Sequence, residues 1–101
     1  MSGGENVATS EVERVLCEHD AVLETAVIGM PDQRWGEVPR AFVALKPGRE
    51  VTAEALIAHC RERLAGFKTP KEIVFIDVLP RNPSGKVLKR QLREHTAGAQ
   101  G

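Results

Sequence analysis

The residues best suited to chemistry lie in a proline-containing loop near the C-terminal end, where a lysine follows Ser-Gly. Pro80 and Pro83 restrict the course of this loop, because proline fixes φ and lacks an N–H donor. Gly85 permits a backbone conformation that a side chain would forbid. We expect a short amphipathic helix from about Lys86 to Glu94, with Lys86 in its first turn. The lysine and the free N–H groups of that turn would together suit phosphate or carboxylate oxygens.

Spacing alone leaves two interpretations of this lysine open. A lysine on a surface helix is usually solvated, and the unfavourable helix dipole costs it under about 1 kcal/mol. The alternative is an anion site formed by Lys86 and the backbone. A P-loop is excluded, because Pro80 stands where that motif needs glycine and Val87 stands where it needs Ser or Thr.

Two other stretches combine an aromatic ring with charged neighbours. Trp35 lies in a polar connection, where its ring either covers the edge of the core or lines a channel for a partly apolar ligand. Phe67, Lys68 and Lys71 follow a predicted helix. They form either an apolar contact with two solvated lysines or a stacking surface with phosphate-binding charges.

The composition is that of a small globular chain and excludes several classes of protein. The chain has 101 residues, 42% of them hydrophobic, which suits one small domain or part of a larger protein. The 14 basic and 14 acidic residues cancel, so no nucleic-acid partner is expected. There is neither an apolar run of membrane-spanning length nor a leader sequence, so we expect no transmembrane segment and a cytoplasmic location.

Metal and nucleophile patterns are also missing from the sequence. Cys17 and Cys60 are too few and too far apart for a metal knuckle or a disulfide framework, so we predict no metal site. Each lies in an apolar helical pattern, so we expect two buried free thiols. The 3 histidines have no nucleophile or metal partner in sequence, and no paired-carboxylate pattern exists. Another surface must therefore supply most of any catalytic centre.

Hydrophobic periodicity predicts the elements that position these residues, in the order α-β-β-α-β-α. The first predicted helix runs from about Ser10 to His19 and begins with a Ser10–Glu13 capping box. The second is capped by Thr52 and ended by Gly66, and the third is Lys86–Glu94. The predicted strands are Glu24–Met30, Pro39–Leu45 and Ile73–Ile76.

The connections between these elements predict the sheet. The first two strands should pair as a hairpin with a wide loop over residues 31–38, and the strand–helix–strand unit that follows should make a parallel crossover. Ile73–Ile76 is apolar throughout and is expected to be buried on both faces. We predict an α+β fold in which a mixed three-stranded sheet packs with three helices.

The two ends of the chain carry separate predictions. Gly3 and Gly4, followed by Glu5, make a turn that allows close approach of the backbone to another surface, or else an ordinary frayed terminus. A turn without a preceding element indicates that the chain continues a longer one. We expect residues 1–95 to form the domain and residues 96–101 a disordered tail.

Four motifs stand in the order and spacing of the adenylate-forming enzymes, and residues 2–94 therefore resemble the small C-terminal lid domain of that superfamily. The motifs are Ser2-Gly-Gly-Glu-Asn-Val with Glu11-Val-Glu13, Gly29-Met-Pro-Asp-Gln-Arg-Trp-Gly-Glu-Val-Pro39, Phe67-Lys-Thr-Pro-Lys71 and Pro80-Arg-Asn-Pro-Ser-Gly-Lys86. The superfamily contains acyl-CoA synthetases, adenylation domains of peptide synthetases and luciferases. Its large N-terminal domain has no counterpart in the chain.

The resemblance implies a two-step ligation. A carboxylic acid attacks the α-phosphate of ATP to give an acyl-adenylate and pyrophosphate, and a thiol, usually that of CoA, then displaces AMP. ATP and Mg²⁺ would be bound mainly by the missing N-terminal domain. Lys86 matches the family's adenylation lysine, which meets the substrate carboxylate and nucleotide oxygens.

The resemblance also implies a CoA site. The residues it assigns to the pantetheine tunnel and the CoA nucleotide are Gly3, Gly4, Glu5, Trp35, Phe67, Lys68 and Lys71. The sequence departs from the family at Thr69, where relatives can carry a basic residue, and at Ala8-Thr9, which replaces a common Tyr-Pro.

Two functions of different classes follow. The first is the C-terminal domain of an acyl-CoA synthetase that activates a carboxylic acid, such as a fatty acid, for transfer to CoA or, as a variant, to a carrier protein. The second is a stand-alone module that binds CoA, a carrier domain or a partner protein without catalysis. In the first case we expect the isolated chain to be inactive in ligation.

Overall fold

The computed structural model describes residues 7–33 and 36–93, which form a three-stranded mixed sheet with helices on both faces. The elements in chain order are α1 (Val7–Cys17), β1 (Val22–Asp32), β2 (Gly36–Leu45), α2 (Ala53–Arg61), a 3-10 helix (Gly66–Lys68), β3 (Glu72–Phe75) and α3 (89–93). This order confirms the predicted α+β fold. None of the helices in these two ranges is both long and apolar enough to cross a bilayer.

The sheet has the strand order β1-β2-β3. β1 and β2 pair antiparallel, and β2 and β3 pair parallel through the α2 crossover, as predicted. The predicted wide loop is wrong, because the β1–β2 ladder continues to the pair Asp32–Gly36. Pro31 does not interrupt the ladder, because its nitrogen faces away from β2. The N–H of Val27 points away from β2 and donates to Glu13, and the nitrogens of every second residue along β1, including Pro31, face the same way. The missing N–H of Pro31 therefore costs the ladder no hydrogen bond.

Alternation along the strands divides the core into two layers. On one face of the sheet, buried apolar side chains pack with α1 and α2; they include Val12, Leu16, Val27, Ala41, Val43, Leu56, Cys60 and Ile73. On the other face, the C-terminal segment supplies the cover; the buried residues are Ala26, Ile28, Phe42, Leu79 and Leu92, with Val87 packed against them. Phe42 has 0% exposure, and such burial stabilises by about 1.5–3 kcal/mol.

α1 begins earlier than the sequence predicts. Ser10 lies inside the helix, which starts at Val7, so the predicted capping box is wrong. Glu13 instead accepts a hydrogen bond from the backbone N–H of Val27 at 2.8 Å and pairs with Lys89 Nζ at 2.9 Å. A tertiary role for this carboxylate therefore replaces the predicted local one.

The boundaries of α2 follow one prediction and contradict another. Thr52 caps the helix as predicted, since its hydroxyl accepts from the N–H of Ala55 at 3.1 Å. Gly66 is not the C-cap, because the helix ends at Arg61 and Glu62 occupies the cap position. Gly66 instead opens the 3-10 helix that leads to β3.

β3 is only partly buried. Ile73 packs in the core layer beneath α1 and α2, and Val74 packs against the core layer on the other face of the sheet, in agreement with burial on both faces. Phe75 contradicts that prediction with 42% exposure. β3 is an edge strand of four residues, so its last residue, Phe75, has a neighbouring strand on one side only.

Candidate functional site

Residues 80–88 form a small closed loop, here named the lysine hairpin. Arg81 and Val87 pair as an isolated antiparallel bridge. The N–H of Leu88 donates to the carbonyl of Pro80 at 2.9 Å, which closes the base of the hairpin. Val87 packs against the core layer that the C-terminal segment covers. Because neighbouring residues of an extended chain point in opposite directions, Lys86 faces away from that layer.

Asn82 organises the interior of the lysine hairpin. Its side-chain Oδ1 accepts from the N–H of Ser84 at 3.0 Å, the hydroxyl of Ser84 at 2.8 Å and the N–H of Lys86 at 3.0 Å. Its own backbone N–H donates to the carbonyl of Lys86 at 2.9 Å. Gly85 completes the turn with φ of +90°, a conformation that residues with a Cβ rarely adopt.

Two ion pairs tie the lysine hairpin and the helix after it to the rest of the domain. The guanidinium of Arg81 pairs with Glu24 of β1 and donates to the carbonyl of Gly85 at 2.8 Å. Lys89, the first residue of α3, pairs with Glu13 of α1. The cations on either side of Lys86 are therefore compensated by carboxylates of the same domain.

Lys86 itself is exposed, and none of the ion pairs within residues 7–33 and 36–93 includes its ammonium group. It borders a surface depression that Lys89 and Arg90 also line. The prediction that Lys86 lies in the first turn of a helix is wrong, because α3 begins at residue 89. The chain is held at Lys86 by the contacts of Asn82, and the positive charge at this position comes from side chains and not from a helix N-terminus.

The segment that holds Lys68 and Lys71 is built differently. Lys68 Nζ lies 2.9 Å from Glu11 Oε1 of α1, and both side chains are about 30% exposed. Lys71 is exposed, and its backbone N–H donates to the carbonyl of Pro39 at 3.2 Å. Thr69 is buried and donates its hydroxyl to the carbonyl of Ala65, so it faces the interior and not a ligand.

Several predicted site residues fall outside the described part of the structure. Gly3, Gly4, Glu5 and Trp35 lie outside the described residues, and the side chain of Phe67 is likewise not described. Their assignment to a CoA site stays a prediction. The structure brings neither Lys68 nor Lys71 into contact with the lysine hairpin through any described hydrogen bond or ion pair.

The cysteines and histidines have structural surroundings. Burial raises the pKa of the Cys60 thiol to about 11, so this group stays protonated at neutral pH. The predicted burial of Cys17 is wrong, because Cys17 is the last residue of α1 and is exposed. Partial desolvation, followed by the charges of Glu13 and Glu24, still raises the pKa of its thiol. The rings of His19 and His59 meet edge to face at 5.2 Å. Within residues 7–33 and 36–93, no three His, Cys, Asp or Glu side chains are grouped to hold a metal ion.

Sequence reasoning missed the residues that support Lys86. Asn82 followed by Pro-Ser-Gly is typical of a turn in which an Asn side chain accepts from the backbone two residues later, and this signal was available. Glu24 and Glu13 gave no such signal. They are 57 and 76 residues away in sequence from Arg81 and Lys89, and only the fold makes them neighbours.

Comparisons with known proteins show the family and fold of the domain. The family model described as AMP-binding enzyme C-terminal domain matches residues 11–86, which contain the second half of α1, the whole sheet and Lys86. The solved structure of a Mycobacterium tuberculosis fatty acyl CoA synthetase superposes with a TM-score of 0.82 at 44% sequence identity, covering 97% of this chain and 19% of that one.

Two curated relatives are CoA ligases with different acids in their names. The 3-[(3aS,4S,7aS)-7a-methyl-1,5-dioxo-octahydro-1H-inden-4-yl]propanoyl:CoA ligase of Mycobacterium tuberculosis is 58% identical over 94 residues, which are 93% of this chain and 18% of the relative. The 2-succinylbenzoate–CoA ligase of a Geobacillus species is 51% identical over 94 residues, or 93% of this chain and 19% of the relative. The chain thus spans about a fifth of the length of the relatives it matches.

Proposed function

Because the chain belongs to the AMP-binding enzyme C-terminal domain family, we propose that it is the small domain of an ATP-dependent acyl-CoA synthetase and supplies one lysine to a reaction centre built mainly by a larger domain. The observation that carries this proposal is the state of Lys86. Its backbone is held in a closed hairpin, while its ammonium group is exposed and has no carboxylate partner among the described residues.

The proposed first step is adenylation. An oxygen of the substrate carboxylate attacks the α-phosphorus of ATP, the bond to the β-phosphate oxygen breaks, and pyrophosphate leaves with the bonding electrons. The Lys86 ammonium group lies against the carboxylate and the α-phosphate oxygens, where it stabilises the negative charge that develops during attack. A cation that is already oriented and has no competing internal carboxylate suits this role.

The proposed second step is thioester formation. The CoA thiol attacks the acyl carbon of the adenylate and AMP leaves, while Gly3, Gly4, Glu5 and Trp35 border the pantetheine. Phe67, Lys68 and Lys71 contact the CoA nucleotide. The exposure of Lys71 and the partly exposed position of Lys68 support this part of the proposal.

The substrate class is a carboxylic acid, and the acceptor is CoA in preference to a carrier protein. The names of the relatives support CoA, and their different acids support no single choice for this chain. Mg²⁺ accompanies ATP, and the described residues offer it no cluster of ligands, so we assign it to the larger domain. Two unpaired cysteines suit a reducing compartment such as the cytoplasm.

The test uses the full-length protein that carries this chain, or a chimera in which the chain replaces the matching segment of the Mycobacterium tuberculosis relative. Lys86→Ala should lower ATP–pyrophosphate exchange by about 100-fold or more, because one stabilising charge is lost from the transition state. Thioester formation from supplied acyl-adenylate should survive.

Lys46→Ala is the matched control, since Lys46 is also an exposed lysine and lies outside the lysine hairpin. It should leave both half-reactions unchanged. Equal loss of both half-reactions in Lys86→Ala, or no loss in either, would contradict the proposed role of Lys86.

A further inference from the structure

Asn82 contacts both backbone polar groups of Lys86. Its Oδ1 accepts from the Lys86 N–H at 3.0 Å, and its own N–H donates to the Lys86 carbonyl at 2.9 Å. We infer that Asn82 is a positioning residue for adenylation: its carboxamide oxygen sets the direction in which Lys86 leaves the hairpin. This inference rests on the proposed function, because it presupposes that Lys86 acts in the reaction.

The chemistry of the contacts identifies the atom that matters. Two of the three groups that contact the Asn82 side chain are backbone N–H groups, which can only donate, so the atom that faces them is the carboxamide oxygen. The hydroxyl of Ser84 supplies the third donor at 2.8 Å. A side chain without an acceptor at this position would leave all three donors without their partner.

Lys86 depends on its backbone more than a buried residue would. Its side chain is exposed and takes part in none of the hydrogen bonds or ion pairs described for residues 7–33 and 36–93. A lysine side chain is a flexible stem of four carbons, so the backbone alone aims it. Misplacement of a catalytic group by about 1 Å can lower a rate by about 100-fold, which makes this aim consequential.

Removal of the Asn82 carboxamide should not detach the lysine hairpin from the domain. Arg81 remains paired with Glu24, the N–H of Leu88 still reaches the carbonyl of Pro80, and Val87 keeps its place in the core. None of these contacts involves the Asn82 side chain. The variant therefore separates the direction of Lys86 from the stability of the fold.

The experiment is a double-mutant cycle in the full-length protein or the chimera, read by ATP–pyrophosphate exchange. Asn82→Ala should lower the kcat of exchange by about 10- to 100-fold, through misplacement of Lys86. The KM for ATP, the thioester step from supplied acyl-adenylate and the thermal midpoint should change little. In a Lys86→Ala background, Asn82→Ala should cause no further loss, because both changes then remove the same interaction.

Two more variants distinguish positioning from a general packing effect. Asn82→Asp keeps an acceptor oxygen at the same place and should recover most of the rate that Asn82→Ala loses. Ser84→Ala removes the hydroxyl donor but keeps both backbone contacts, so its effect should be the smallest of the three.

The outcomes separate this inference from the proposed function. If Lys86→Ala leaves exchange intact, the proposed function fails. If Lys86→Ala abolishes exchange while Asn82→Ala is neutral, the positioning role alone is refuted. It is also refuted if the losses multiply in the double variant.

Discussion

Lys86 and Lys68 are both lysines predicted to meet oxyanions, and the domain holds them in opposite ways. For Lys86 the backbone is fixed by Asn82, and no ion pair in the described residues involves the ammonium group. For Lys68 the ammonium group is restrained by Glu11, at 2.9 Å. The two also belong to different layers: Lys68 joins α1, whereas the lysine hairpin packs on the opposite face of the sheet.

The difference indicates what each charge can do. An ammonium group without an internal carboxylate exerts its full attraction on an anion that another domain brings to it. Lys68 shares its charge with Glu11, although a partly exposed pair is worth only about 0–1 kcal/mol and restrains the lysine weakly. Lys86 therefore suits stabilisation of a developing charge, and Lys68 suits modest binding of a stable phosphate.

The largest effect on this comparison is expected from a change in the turn that carries Lys86. Gly85 has φ of +90°, and a Cβ atom at this position would have no other heavy atom within 4 Å. Gly85→Ala therefore introduces backbone strain without a steric clash. The strain should lower the free energy of unfolding by about 1–2 kcal/mol. Adenylation should fall by about 10-fold or more as Lys86 is misplaced, measured by pyrophosphate exchange.

Gly48 offers a matched control for this prediction. It has φ of +77° and equally open space at the Cβ position, but it lies in the turn after β2. Gly48→Ala should reduce stability by a similar amount, about 1–2 kcal/mol in chemical denaturation, and leave adenylation unchanged. Equal effects of the two variants on adenylation would remove the distinction between the lysine hairpin and other strained turns.

The parts of the fold that could be predicted from sequence are those that depend on neighbouring residues. The sheet order followed from local signals: β-branched runs marked the strands, and Thr52 marked the start of α2. The proline breaker rule shortened β1 wrongly, because the rule ignores which way a strand's nitrogens face. Pro31 lies where the nitrogen faces away from β2.

The candidate site, too, could be predicted only where its contacts are local in sequence. Lys86 could be predicted, because a lysine after a stiff loop is a local pattern. Its supports could be predicted only in part, since Asn82 acts within the loop but Glu24 acts across the fold. The pairing of Lys68 with Glu11 joins residues 57 apart in sequence, and no local pattern predicts such a contact.

A smaller effect is expected at the second lysine. Lys68→Ala should raise the KM for CoA by about 3- to 10-fold, which corresponds to about 0.7–1.4 kcal/mol for one partly solvated phosphate contact. Pyrophosphate exchange should not change, because the proposed role of this lysine is confined to CoA binding. The measurement is steady-state ligation at varied CoA concentration. A loss of pyrophosphate exchange in this variant would mean that the two lysines do not have separate roles.

The smallest effect is expected from a change of Glu11, the carboxylate that pairs with Lys68. Glu11→Gln removes the carboxylate that lies 2.9 Å from Lys68 Nζ, so the lysine loses one competing negative charge and the KM for CoA should fall by about 2- to 3-fold. Glu18→Gln is the matched control: it removes the same charge at the end of α1, where the partners are Arg14 and Arg63 and not Lys68. An equal fall of KM in both variants would trace the effect to net charge, and an unchanged KM in Glu11→Gln would exclude Lys68 as a phosphate contact that Glu11 limits.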